Sequence, residues 1–189
     1  TTATYNIKCL ELRKGTFADY TGKGDADRVY RKHLLTDRGM WLYTEQYGIR
    51  HITYDGESFK CRDYTAADKS MPENSITYMS EDGLGNVWAI TQHTINYIDT
   101  VGNSRMIQGG IRTLDLRARG HDIVVLDKTN KAWIYSSNGR LRMTSQLPIA
   151  LGRVDKVTTS VIWKGKYYVF TTADTYACDI TTGRWERAA

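Results

Sequence analysis

Short apolar runs rich in aromatic and β-branched residues alternate with polar clusters along the whole chain. In "GMWLYTEQYGIRHITYDGESFKCRDY" from Gly39, a Trp-led strand ends in Thr, a short break follows, and a second and third strand flank a Gly turn. "NVWAITQHTINYIDTVGNSRMIQ" from Asn86 repeats that order. Period-two alternation bounded by Gly, Asn and Asp clusters is the pattern of hairpin-linked strands. Two weaker copies follow, "DIVVLDKTNKAWIYSSNGRLRMTSQ" from Asp122 and "KYYVFTTADTYACDITTGRWERA" from Lys166. Aligned on Trp41, Trp88, Val124 and Tyr168, the copies are 47, 36 and 44 residues apart. That scatter excludes a rigid solenoid and suits units whose loops vary in length.

Each copy is preceded by one more alternating strand: "RVYRKHLL" from Arg28, "SITYMSED" from Ser75, "IRTLDLRA" from Ile111 and "VDKVTTSVIW" from Val154. Four strands per unit, joined by tight turns, predict an all-β chain of four-stranded antiparallel blades, a β-propeller. The blades fall at about 28–64, 75–108, 111–147 and 154–187, and "TYNIKCLELRKGTFADYT" supplies two strands of a half blade over 4–21. A single helical alternative puts Val29, His33 and Leu34 on one face of "DADRVYRKHLLT", but that stretch is short and breaks at Gly39. "YTAADKSMPENS" from Tyr64 reads as a loop. Trp41 and Trp88, mid-strand at matching positions, are expected to fill the wedge between adjacent blades.

Composition changes this picture little. The chain has 189 residues, 41% of them hydrophobic, with thirteen Tyr and five Trp. That is enough for one good core or several small units sharing one. The net charge of +5 raises the possibility of an anionic partner. However, Lys and Arg are scattered, with the densest groups at Arg28, Arg31, Lys32 and at Arg112, Arg117, Arg119. Solvated strand faces and turns account for them, and no nucleic-acid partner is expected. No apolar run is long enough to cross a bilayer, so no membrane contact by this segment is expected. Cys9, Cys61 and Cys178 lack metal or disulfide-framework spacing, although one pair could bridge in an oxidising compartment. At least two of them are expected to be buried as small apolar groups.

Catalytic and cofactor motifs are missing. There is no GxSxG, P-loop, GxGxxG or HExxH, and no cofactor or metal is expected. Glu81 and Asp82 are adjacent, so on a strand they point to opposite faces and do not flank one bond. Asp82 is expected to accept hydrogen bonds from the backbone of the "GLGN" turn.

"SEDGLGNVWAIT" followed by "INYIDT" resembles the repeat of the two-component regulator propellers, in which an Asp/Gly/Asn turn precedes a Trp-led strand ending in Thr. Arg38 to Trp41, Thr44, Gly48-Ile49 and Tyr54 to Gly56 hold the same places in the preceding unit, and "ENSITYMSED" resembles the family's lead into the inner strand. The likeness is good over residues 28–110 and faint beyond, where Val124 and Tyr168 replace the Trp. It implies a periplasmic sensor region of a hybrid two-component histidine kinase of gut bacteria, recognising oligosaccharides. The kinase, membrane and DNA-binding parts of such a protein are not among these 189 residues. The remainder of the sensor would then be a partner, with a homodimer as a further possibility. Four blades and a half leave unpaired edges, so the chain is expected to be an incomplete piece of a larger propeller. The alternative is a small five-bladed ring with an unusual closure.

"SEDGLGNVW" also resembles the Asp-box turn of sialidase-type propellers, but it is one residue too long and has Val87 where that box has Thr. The box is structural in those enzymes, and no catalytic set stands out here. Binding without turnover is therefore expected. Propellers bind ligands on the face built by the loops between second and third strands and by the blade connections. The second-to-third loops present Gln46, Tyr47, Gln92, His93, Lys128 and Asp174, which supply amides, an aromatic face, an imidazole and charges suited to sugar hydroxyls or an acidic group. Tyr47 and His93 are the preferred candidates, because an aromatic at a loop tip has no core to fill. A scaffold or interaction propeller is the competing class, and a carbohydrate-active enzyme a more distant one.

Overall fold

A computed structural model describes residues 7–11, 16–20, 30, 32–148 and 156–188. Strands β1 (Ile7–Glu11) and β2 (Thr16–Tyr20) pair as an antiparallel hairpin. Four four-stranded sheets follow, each a simple meander. The first sheet holds β3 (Lys32–Thr36), β4 (Gly39–Thr44), β5 (Gly48–Tyr54) and β6 (Phe59–Tyr64). The second holds β7 (Tyr78–Glu81), β8 (Val87–Ile90), β9 (Thr94–Ile98) and β10 (Ser104–Gly109). The third holds β11 (Thr113–Arg119), β12 (Asp122–Asp127), β13 (Lys131–Ser136) and β14 (Leu141–Gln146). The fourth holds β15 (Val157–Trp163), β16 (Lys166–Thr171), β17 (Thr175–Asp179) and β18 (Trp185–Ala188). There is no helix among the described residues, and Lys32–Thr36 of the helical alternative is strand; Val29 lies outside them. The stretch after Tyr64 is a loop of turns.

Successive first strands pack on one another, β3 on β7, β7 on β11 and β11 on β15, so they form the inner edge of the arc. Middle strands are buried on both faces, which is why β8 and β12 read as continuous apolar runs rather than as alternation. Val87 and Ala89 face back to Trp41, Tyr43 and Tyr64 of the first sheet. Trp88 and Ile90 face forward to Ile123, Val125 and Tyr135 of the third. Val124 and Leu126 in turn face forward to Tyr167 and Val169 of the fourth. Trp41 and Trp88 are fully buried in the wedges, as their matching positions predict. Each belongs to the class of side chain whose truncation costs about 3–5 kcal/mol.

Polar groups tie the wedges at both ends. Asp82, buried in the turn before β8, accepts hydrogen bonds from the Leu84 and Asn86 amides at 2.9 and 3.0 Å, as expected of it. Its second oxygen takes the Trp88 indole N–H at 3.0 Å, so the turn and the wedge residue are fixed together. In the first sheet Thr36 replaces the carboxylate and accepts the Trp41 indole at 3.3 Å. Cations then reach from one sheet to backbone carbonyls of the next. Lys32 donates to Thr77 at 2.9 Å, Arg38 to Gly85 and Thr100 at 2.5 and 2.7 Å, and Arg105 to Asn138 at 2.8 Å. Arg117 and Arg119 donate to Ser160 and Ile162 at 2.8 and 3.1 Å. Ser160 and Ile162 lie on the inner edge strand β15, whose carbonyls have no neighbouring strand on that side, and the other acceptors belong to turns or, at Thr77, to the lead into β7. Part of the scattered positive charge is this stitching.

Close backbone approach supplies the last element. The Gly83 amide donates to the Gly120 carbonyl at 2.6 Å, joining the first turns of the second and third sheets. A Cβ on Gly83 would lie 2.8 Å from the Gly120 Cα. On the outer rim, Gly102, Gly139 and Gly183 stand at φ of +89°, +83° and +72° in the turns between third and fourth strands. Each lies beneath the outer strand of the preceding sheet, at Arg62 and Tyr64, at Arg105 and Ile107, and at Met143 and Ser145. Cys178 is buried and Cys61 is exposed on β6, so the expectation of at least two buried cysteines turns on Cys9. Cys61 lies on the outer strand of the first sheet, opposite Ile52. The Cys9 side chain lies outside the described residues.

Gly83→Ala is expected to lower the unfolding free energy by about 1–3 kcal/mol, because the two turns must separate to admit the methyl group. Urea denaturation measures it. A change within about 0.5 kcal/mol, the usual size at a free surface turn, would refute the tight junction.

Candidate functional site

The four second-to-third loops all lie at one end of the sheets, laced to the blade connections by backbone hydrogen bonds. In the first loop, Gly48 N–H donates to Asn74 O at 3.0 Å, and Ile76 N–H donates to Thr44 O at 3.1 Å. Ile111 N–H donates to His93 O at 3.2 Å, and Thr113 N–H to Gln92 O at 3.1 Å. Lys128 N–H donates to Arg112 O at 2.7 Å, Leu147 N–H to Asn130 O at 3.0 Å, and Thr172 N–H to Lys156 O at 3.0 Å. His93 Nδ1 also approaches Glu73 Oε1 at 3.5 Å, reaching the connection between the first and second sheets. A continuous rim therefore runs from Gln46 and Tyr47 through 73–76 to Gln92 and His93, then through Arg112 to Lys128.

Along this rim Gln46, Gln92, His93 and Lys128 are exposed. Tyr47 is only half-buried at its loop, so part of its ring is packed rather than offered to solvent. Asp174 stands on the corresponding loop of the fourth sheet, and its carboxylate is engaged. Arg187 Nε donates to it at 2.8 Å and Arg187 Nη2 also contacts it, while Tyr176 O–H donates at 3.4 Å. Any ligand at Asp174 meets an Arg–carboxylate pair and not a lone anion.

Local chemistry holds the Lys128 loop in shape. Asp127 Oδ1 accepts from the Thr129 amide at 2.8 Å, the Thr129 hydroxyl at 2.6 Å and the Lys131 amide at 3.1 Å. Its Oδ2 takes the Trp133 indole N–H at 2.9 Å. This repeats the Asp82–Trp88 arrangement with the same six-residue spacing, on a different turn of the sheet. The spacing is visible in "DGLGNVW" and "DKTNKAW", and it was the signal by which Asp127 could have been found. Burial works against ionisation of Asp127, but the hydrogen bonds from Thr129, Trp133 and Lys131 outweigh it and hold the carboxyl below its usual range.

Two shallow cavities lie elsewhere. One of about 270 Å³ is lined by Tyr30, His33, Leu35 and Met40 on the back of the first sheet. The other, about 360 Å³, sits between the 66–72 loop and Ser104, Arg105 and Met106. Neither includes a rim candidate. Among the described residues no group of three or more His, Cys, Asp or Glu is placed to hold a metal ion.

The meander sheets, inner first strands and forward-to-back stacking define a β-propeller segment. Solved propellers agree. Over 82% of its length the chain superposes on 22% of the extracellular domain of the hybrid two component system BT4673 from B. thetaiotaomicron, with TM-score 0.63 and 14% identity. It matches apo AztD from Citrobacter koseri over 83% of this chain and 44% of that one, with TM-score 0.64 and 16% identity. The computationally designed Ika8 protein matches over 97% of this chain and 55% of its own, with TM-score 0.69 and 13% identity. The chain thus spans less than half of AztD and under a quarter of the BT4673 domain. At these identities the likeness establishes the fold alone. No protein-family model and no curated protein sequence matches the chain.

Asp127→Asn is expected to destabilise the chain by about 2 kcal/mol near neutral pH, because the carboxamide keeps one accepting oxygen and its NH2 cannot accept at the other position. The native carboxyl has a lowered folded pKa, so its contribution is complete above the unfolded value of about 3.9 and fades as pH falls through the folded value. Urea melts at pH 5 and pH 3 should show wild type losing more stability than Asp127→Asn over that interval. Equal losses would remove Asp127 from the acid response.

Proposed function

We propose that the chain is the ligand-sensing part of an extracytoplasmic propeller belonging to a two-component sensor, and that its ligand is an oligosaccharide. The observation that carries the reading is the continuous loop rim, with exposed amide, imidazole and ammonium groups on a rigid backbone lattice. Gln46 and Gln92 suit sugar hydroxyls, His93 and Lys128 suit hydroxyl or carboxylate oxygens, and the half-buried Tyr47 stands beside them. The similarity to the BT4673 extracellular domain, together with the repeat's resemblance to two-component regulator propellers, supports the sensor assignment and the extracytoplasmic address. On this reading the segment binds and does not turn over its ligand, and the kinase chemistry belongs to other parts of the parent. Signalling further requires that the ligand favour one arrangement of the sensor over another, since equal affinity for both shifts nothing.

A thermal-shift screen of neutral and acidic oligosaccharides tests it. A saturable shift is expected with at least one, reaching about 2.7 kcal/mol of added stability at a hundredfold excess over Kd. His93→Ala and Gln46→Ala should each weaken that binding about tenfold, or 1.4 kcal/mol, with the unliganded melting point unchanged. If no sugar in the panel shifts the protein, the scaffold reading takes its place.

A further inference from the structure

Charge is distributed unevenly along the loop rim. Around the first and second sheets Glu45, Asp68 and Glu73 outnumber Lys69, and the Glu73 carboxylate lies 3.5 Å from His93. Across the third and fourth sheets the rim is cationic. Arg112 and Lys156 each stand immediately before an inner strand, β11 and β15, and those two strands pack on one another. They hold equivalent places, since the Arg112 carbonyl accepts from the Lys128 amide at 2.7 Å and the Lys156 carbonyl from the Thr172 amide at 3.0 Å. Their backbones are thus committed to the loop lattice, while Arg112, Lys128 and Lys156 are all exposed. The carboxylates of this region are engaged elsewhere. Asp127 is buried and holds the Thr129 hydroxyl and the Trp133 indole. Asp115 is buried against Arg117 and Ser160, and Asp174 is closed on by Arg187. Among the described residues, none of the three cations has an ion-pair partner or a carbonyl acceptor, unlike Arg117 and Arg119, which bond to Ser160 and Ile162.

We propose that Arg112, Lys128 and Lys156 form an anion-binding stretch of the rim, and that the oligosaccharide it takes is acidic, bearing carboxylate or sulfate groups. This rests on the sugar-binding reading of the rim and names the class of sugar. Gln92 adjoins the stretch, because its carbonyl accepts from the Thr113 amide at 3.1 Å, one residue from Arg112. A single sugar chain can thus give hydroxyls to Gln92 and acidic groups to the cations of the third and fourth sheets. The Arg112 guanidinium offers paired N–H donors to two oxygens of one acidic group, and the two ammonium groups add charge without a fixed geometry. Since none of the three is paired, binding breaks no ion pair of the protein. Glu45 and Glu73 repel the same acidic groups, so the charged end of the ligand lies toward the fourth sheet.

Isothermal titration of the 189-residue chain with matched tetrasaccharides tests this. One pair is a galacturonate chain and its carboxyl-reduced form; the other is a sulfated galactan fragment and its desulfated form. The acidic member of at least one pair is expected to bind about tenfold tighter than its neutral partner, and the pair that responds separates carboxylate from sulfate. Added salt should weaken that binding several-fold. Arg112→Gln and Lys156→Gln should each weaken it about tenfold, with the melting temperature and any neutral-sugar binding unchanged. Lys164→Gln, in the turn between β15 and β16 at the other end of the fourth sheet, should change nothing. Neutral members that bind as tightly overturn the proposal and leave the sugar-binding reading standing, as does acidic binding that the Arg112 and Lys156 variants do not alter. No binding by any member overturns both. Polyglutamate of equal charge binding as tightly as the acidic sugar overturns the proposal in favour of unspecific attraction of polyanions.

Discussion

A sheet whose middle strands are apolar on both sides has to be covered twice. In β8 the side chains at Val87 and Ala89 point one way and those at Trp88 and Ile90 the other, and every one is buried. No single sheet here satisfies that demand alone, so each depends on its neighbours in order, forward face against back face. At about 25 cal/mol per Å² of apolar surface removed from water, this stacking is the main favourable term the fold possesses. The wedge residues, the turn lengths and the placement of charge all serve it.

Because sheets stack face to face, their inner edges are left without a neighbouring strand. Carbonyls just before β7 and along β15 would need water or another donor. Lys32, Arg117 and Arg119 supply it from the preceding sheet, and Arg38 and Arg105 do the same at the turns. A long cationic side chain is suited to this, since it lays its stem on the wedge and brings the charge to the rim. The turn carboxylates do the complementary work. Asp82 and Asp127 collect the amides of a tight turn and, in the same act, hold a Trp indole. These charges are therefore architectural.

The repeat was legible because its period is carried by residue types with few alternatives: Gly and Asn at turns, and aromatic or branched residues between them. Trp41 and Trp88 announced the wedge, and the fainter copies at Val124 and Tyr168 fell on the same forward side as the register required. Legibility ended where contacts cross between strands. That Arg187 closes on Asp174, thirteen positions away, could not be read from the sequence, because the pairing depends on the β17–β18 register. Tyr47 looked like a loop-tip aromatic, yet it is half-buried, since packing at a loop is set by its neighbours and not by its sequence position. Which of the cysteines is exposed was likewise not legible: the side on which an outer-strand residue such as Cys61 falls is a question of register.

The loop rim has a property that follows from the stacking. The loops about Gln92 and Lys128 are each bonded to the connections that join sheets, so a sheet cannot tilt without moving two loops. His93 faces Glu73 across one wedge, and Lys128 meets the Arg112 backbone across the next. A ligand touching two adjacent loops on the proposed reading would bridge a wedge and add its binding energy to the adhesion between two sheets. It would thus act on the same quantity that holds the fold together, the fit of one sheet against the next. A change in that fit is a rigid-body change, and rigid-body changes are the kind a stacked array can pass along its length. On this reading sensing would need no mobile lid; a small alteration in the angle between neighbouring sheets, favoured by the ligand, would suffice.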